Sequence, residues 1–193
     1  LPGVTLIQVM PCSAFSIPSD EGLSAITANT CVVYVTNPNN PSGADVPVDA
    51  IGEIARRLTE CAGVFVDEAY AEFAGVSFIP ELDAYPNVIV GRTFSKAFGL
   101  AGLRIGGLVG APATMEAIRR AVPVYSVNVA AAVAIVAALD DLDHLNDYMS
   151  QVAKSKALLY AACDRLGLAY VTSHSNCVLV RAGDRHDALG KGG

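Results

Sequence analysis

Apolar residues follow two rhythms along this chain. Residues 31–36 (CVVYVT) form an unbroken β-branched run, and residues 64–67 and 88–92 (VIVGR) repeat it. Such runs predict strands buried on both faces, as in a parallel sheet. Between the first two, residues 48–61 place Ile51, Ile54, Ala55 and Leu58 at helical spacing, which predicts an amphipathic helix. A short strand over 4–9 and a weak helix over 20–28 come earlier, and a glycine-rich strand over 104–110 comes later. Strands that alternate with helices in this way predict an α/β domain with a mainly parallel sheet. Past Pro112 the pattern turns helical over 112–121, 129–140 and about 144–166, and Gly167 stands where a C-cap is needed. Residues 169–172 and 176–181 then read as strands of a second, smaller α+β unit. The chain therefore divides into a large-domain segment (1–127), connecting helices (128–168) and part of a small domain (169–193).

Composition narrows the range of functions. Of 193 residues 52% are hydrophobic and 17% charged, which predicts a packed core and excludes a disordered chain. The balance of 13 Lys and Arg against 19 Asp and Glu gives a net charge of -6. With no basic run, the chain lacks the electrostatic footprint of a nucleic-acid binder. The mean hydropathy of +0.42 is high, yet the longest apolar run, residues 129–139, falls short of the ~20 residues that span a bilayer. A helix apolar on every side is instead buried in a larger body or against a second subunit. Residues 1–10 lack the basic region of a secretory signal. The five cysteines are odd in number and form no CxxC pair or metal-ligand spacing, so neither a disulfide framework nor a metal site is expected. A reducing, soluble compartment, the cytoplasm, follows from that reading.

Candidate chemistry sits where strands end, the usual place for ligands in such sheets. Asn40-Pro41-Ser42-Gly43 follows the first buried strand, Asp67-Glu68-Ala69-Tyr70 the second, and Thr93-Phe94-Ser95-Lys96 the third. Singly, each has a plain structural explanation as turn, helix cap or solvated cation. Together they offer an amine, a carboxylate, a phenol, an amide and a hydroxyl cluster, with Arg104 close by. Pyridoxal phosphate needs that set. A lysine forms the Schiff base with its aldehyde, an acid keeps the ring nitrogen protonated, and hydroxyls with an arginine fork neutralise the phosphate. A nicotinamide enzyme is disfavoured, because the glycines 99, 102, 106 and 107 form no GxGxxG after a first strand.

The run TFSKAFGLAGLRIG (93–106), with NNPSG (39–43) and VDEAYAEF (66–73), closely resembles the fold type I pyridoxal-phosphate aminotransferases, within them the histidinol-phosphate aminotransferase subgroup. The spacings also agree, at 27 residues from Asn40 to Asp67, 29 from Asp67 to Lys96 and 8 from Lys96 to Arg104. The resemblance implies a three-layer large domain in which Lys96 carries the cofactor and shuttles the substrate proton. It implies that Asp67 pairs with the pyridinium, that Tyr70 and Asn40 bond the ring oxygen, and that Thr93, Ser95 and Arg104 bind the phosphate. Ser42 stands where the family more often has Thr and keeps the hydroxyl, and Cys177 stands where it usually has Phe. The implied reaction passes an amino group between an amino donor, with histidinol phosphate first, and a 2-oxo acid such as 2-oxoglutarate, in a homodimer. Aromatic aminotransferases and threonine-phosphate decarboxylases carry nearly the same motifs. Family members are also longer, so the chain is expected to be a fragment lacking both ends.

Overall fold

The structure is a computed structural model and describes residue 3 and residues 5–9, 19–58 and 62–183. Four strands, β1 (Val32–Thr36), β2 (Gly63–Asp67), β3 (Val88–Thr93) and β4 (Gly106–Gly110), form one sheet in that order. β1 to β3 run parallel, and β4 joins antiparallel with Gly106 opposite Thr93. The carboxyl ends of three strands and the amino end of the fourth therefore share one edge. The reversal at β4 is what brings the chain around Arg104 back to that edge.

Strand alternation decides which face is buried. Val35, Val64, Val66, Val88 and Val90 point to one face, where Ile51, Ile54 and Ala55 of α2 (Val48–Arg57) and Phe78 cover them. Among the described residues a short α1 (Ser19–Ser24) is the only helix ahead of the sheet, and after β2 come a one-turn α3 (Ala71–Ala74) and a 3₁₀ segment (Ile79–Ala84). The opposite face differs from the sequence expectation of burial on both sides. Val32 and Tyr34 there are 63% and 60% exposed, because none of the described elements lies over β1 on that side. Among the described residues α4 (Pro112–Arg119) and the segment after it, with Val122, Ser126 and Val127, approach beside β4, and a groove of about 520 Å³ remains between them and the sheet.

Two helices lead out of the large sheet. The Asn128 side chain accepts from the Ala131 amide and caps α5 (Val129–Asp140), while Asp141 accepts from His144 and caps α6 (Leu142–Leu166). That cap starts α6 two residues before the predicted point. Gly167 ends it in the left-handed conformation, as expected. Along α5, Val129, Val133, Val136 and Leu139 stay exposed, so the all-apolar helix lacks the cover its composition calls for.

Other expectations fail for local reasons. Residues 5–9 form no strand; Leu6 and Ile7 are exposed and nothing described pairs with them. The helix predicted over 20–28 stops at Ser24, and α2 stops at Arg57 because Leu58 is extended. The predicted strands 169–172 and 176–181 shrink to β5 (Ala169–Tyr170) and β6 (Val180–Arg181), an antiparallel pair. Between them Ser173 and Ser175 turn their hydroxyls onto nearby backbone amides, which competes with a sheet ladder. Lys156 on α6 donates to the carbonyls of both, each at 2.8 Å. Burial holds its ammonium below the usual lysine range, partly offset by the Cys177 sulfur.

A buried acid fixes the two strand ends that matter most. Glu68, fully buried, accepts from the Phe78 amide at 2.6 Å and the Ser77 hydroxyl at 2.7 Å. Arg92 Nε lies 3.0 Å from the same carboxylate, an ion contact outside hydrogen-bond angles, and its Nη1 donates to Glu72 at 2.6 Å. Glu68 adjoins Asp67 and Arg92 adjoins Thr93, so one ionic clip sets the ends of β2 and β3 against each other. Removing the Glu68 charge takes away one of the two carboxylates that hold Arg92, which keeps Glu72, and weakens the bonds from the Phe78 amide and the Ser77 hydroxyl. Glu68→Gln should therefore lower the unfolding free energy by about 2 kcal/mol, read as a lower urea midpoint at unchanged slope.

Candidate active site

The loop after β1 is stapled by its own asparagines. Asn37 exchanges two hydrogen bonds with Val46, and Asn39 bonds the hydroxyls of Thr36 and Ser42. Gly43 takes a left-handed turn, φ 70°, so close to the 173–177 segment that a Cβ there would lie 2.1 Å from Ser173 Oγ. Only glycine suits both demands. What remains free is Asn40, whose Nδ2 donates to Tyr70 Oη at 2.8 Å.

Asp67 ends β2 with both carboxylate oxygens engaged. Oδ1 accepts from the Ala69 amide at 3.1 Å and Oδ2 from the Tyr34 hydroxyl at 2.6 Å. The Tyr34 ring stacks on Phe65, centroids 5.1 Å apart. Burial, the hydrogen bond to Asp67 and the Asp67 charge together push the Tyr34 phenol up to about 12.

The third segment brings the cations. Lys96 Nζ sits 5.3 Å from the centroid of the Tyr70 ring, within reach of its π face. Ser95 donates its amide to Thr93 Oγ1 at 3.1 Å, and Arg104 Nη1 approaches Ser95 Oγ at 3.5 Å and the Ala101 carbonyl at 3.0 Å. Arg104 has a positive φ of 54°, and Asn128 at the start of α5 holds the neighbouring Leu103 carbonyl. Among the described residues neither Lys96 nor Arg104 has an ion-pair partner, which leaves two positive groups available to an anion or an aldehyde.

The structure thus brings the sequence-predicted residues to one edge in two linked groups. Asn40, Tyr70 and Lys96 form one, Thr93, Ser95 and Arg104 the other, while Asp67 and Thr93 both line the groove on the open face. His174 stays on the surface, 3.5 Å from Asp45. No cluster of His, Cys, Asp or Glu that could hold a metal occurs among the described residues. No described helix is long and apolar enough to cross a membrane. Sequence reading missed Tyr34. Its signal was a phenol in an otherwise aliphatic strand, on the same face as Asp67 by alternation.

Comparison with known proteins agrees with this architecture. The model of the family "Aminotransferase class I and II" matches residues 2–191. Histidinol-phosphate aminotransferase 2 of Ralstonia nicotianae is 40% identical over 190 residues, covering 96% of this chain and 50% of its own. An aromatic amino acid aminotransferase of Cutibacterium acnes is 35% identical over 174 residues, covering 88% and 49%. The crystal structure of histidinol-phosphate aminotransferase from Sinorhizobium meliloti in complex with pyridoxal-5'-phosphate superposes with a TM-score of 0.85. It is 33% identical and covers 93% of this chain and 50% of that one. The chain belongs to the class I and II aminotransferases, a family of enzymes dependent on pyridoxal 5'-phosphate. It spans about half the length of the relatives it matches.

Proposed function

We propose that the chain carries the cofactor-binding half of an aminotransferase that moves an amino group between histidinol phosphate and 2-oxoglutarate in histidine biosynthesis. The observation that carries this reading is the Lys96 amine over the Tyr70 ring, itself bonded to Asn40, at the edge that also holds Asp67 and the Ser95–Arg104 pair. That donor set fits pyridoxal phosphate group for group. The cofactor, when bound, supplies an aldehyde and a protonated ring that draws electrons away from the substrate Cα.

Each residue then has a task set by its chemistry. Lys96 Nζ would hold the cofactor through its aldehyde and, once free, its amine would carry a proton between the substrate Cα and the carbon that bore the aldehyde. The Asp67 carboxylate holds the proton on the ring nitrogen. Tyr70 and Asn40 grip the ring hydroxyl and orient the ring against Lys96. Thr93, Ser95 and Arg104 bind the phosphate, Arg104 with its planar fork. The exposed apolar side of α5 and the open sheet face favour a homodimer in the assembled enzyme, working in the cytoplasm.

The Cutibacterium relative favours a second reading, with an aromatic amino acid as donor. A donor panel separates the two. Cofactor-loaded protein is mixed with histidinol phosphate, phenylalanine or tyrosine, and the visible band of the bound cofactor is followed. The band should fade at least ten times faster with histidinol phosphate; faster fading with phenylalanine or tyrosine reverses the assignment.

A further inference from the structure

We propose that Tyr34 is a positioning residue for Asp67, fixing the carboxylate so that its free lone pairs face the nitrogen of a bound pyridine ring. The inference rests on the reading of Asp67 given above and goes beyond it by adding a residue outside the three motifs. Three observations carry it.

First, the contact is short and specific. Tyr34 Oη donates to Asp67 Oδ2 at 2.6 Å, the length of a charge-assisted O–H···O⁻ bond. Second, the phenol is aimed. Tyr34 pairs with Phe65 across the parallel ladder, and its ring stacks on the Phe65 ring at an interplanar angle of 14°. Asp67 stands two residues further along β2 on the same face, so a stacked Tyr34 reaches it diagonally. Gly91 on β3 makes room for that stack, since a Cβ there would lie 2.7 Å from Phe65 Cζ. Third, the geometry at Asp67 is overdetermined. With Oδ1 tied to the Ala69 amide and Oδ2 tied to Tyr34, the carboxylate cannot rotate about its last bond without losing both partners.

A tyrosine in this place has no packing duty that would explain it. The side chain is 60% exposed, and phenylalanine would stack on Phe65 equally well. Its hydroxyl stays a donor at neutral pH, because burial and the hydrogen bond to the Asp67 carboxylate push the phenol up to about 12. What the hydroxyl adds is a fixed carboxylate, an arrangement suited to a ligand that presents a protonated nitrogen to it.

The test compares two ligands. Dissociation constants are measured for pyridoxal 5'-phosphate and for its 1-deaza analogue, in which a C–H replaces the ring nitrogen, on the full chain, on Tyr34→Phe and on Asp67→Asn. Tyr34→Phe should weaken pyridoxal phosphate roughly tenfold, within the range for a lost hydrogen bond to a charged group, and leave the deaza analogue unchanged. Asp67→Asn should abolish the preference for the nitrogen-containing ring altogether. Equal weakening of both ligands by Tyr34→Phe would reduce Tyr34 to a structural residue and overturn the proposal, as would no weakening of either. A native chain that does not prefer the ring nitrogen overturns the reading of Asp67 itself, and a folded chain that binds neither ligand overturns the cofactor assignment. These last two results are distinct from failure of the Tyr34 proposal alone.

Discussion

Lys96→Ala should abolish covalent attachment of pyridoxal phosphate and, with it, any transamination. The chain has four lysines, at 96, 154, 156 and 191, and of those among the described residues, 96, 154 and 156, only Lys96 lies at the sheet edge with Tyr70 and Asn40. The remaining groups at that edge can still hold the phosphate and the ring without a covalent bond. Affinity should therefore fall without vanishing, whereas turnover should be lost, because among the described residues no other amine at the edge can hold the aldehyde or carry the Cα proton. Lys96 makes no ion pair among the described residues and is half-buried, so the fold should tolerate its removal. Equilibrium dialysis against the cofactor, paired with a borohydride trap, reads the two effects separately.

Asp67→Asn should slow the reaction on the order of a hundredfold or more, in the range seen when one preorganised electrostatic partner is removed from an active site. The substitution keeps the shape of the side chain. Its amide oxygen can still accept from the Ala69 N–H, which holds the turn into Tyr70. What is lost is the charge that keeps a proton on the ring nitrogen, and a neutral pyridine is a poor electron sink. The cofactor should still attach at Lys96, so attachment and turnover should separate in this variant. Single-turnover rates with a saturating amino donor measure the loss, and a near-native rate would remove Asp67 from its assigned role.

The contrast between elements read correctly and those missed has a physical basis. β1, β2 and β3 were legible because each is a continuous β-branched run that must be buried on at least one face. α5 was legible as an apolar run too long for a strand, and α6 because its periodicity persists over several turns. α3 and the Ile79–Ala84 segment span four and six residues, too few for a 3.6-residue period to show. The strands expected over 169–172 and 176–181 are shorter because the conformation of 173–177 depends on Lys156 and on Gly43, which lie far away in sequence. The candidate site was legible for a related reason: its groups sit in loops at successive strand ends, and a parallel sheet necessarily gathers those ends. Tyr34 escaped because its importance comes from a cross-strand diagonal, which needs the register of β1 against β2. The uncovered face of the sheet could not be foreseen from runs that look suited to burial on both sides.

The central claim is that Lys96 is the amine that takes the cofactor. Lys156 is its natural rival, since burial depresses its ammonium, but its Nζ is committed to the Ser173 and Ser175 carbonyls. Incubating the full chain with pyridoxal 5'-phosphate, reducing with borohydride and mapping the labelled peptide by mass spectrometry decides between them. One pyridoxyl-phosphate label is expected, on Lys96, and it should be absent from Lys96→Ala. A label on Lys156, one spread over the other lysines, or none on a folded chain would contradict it.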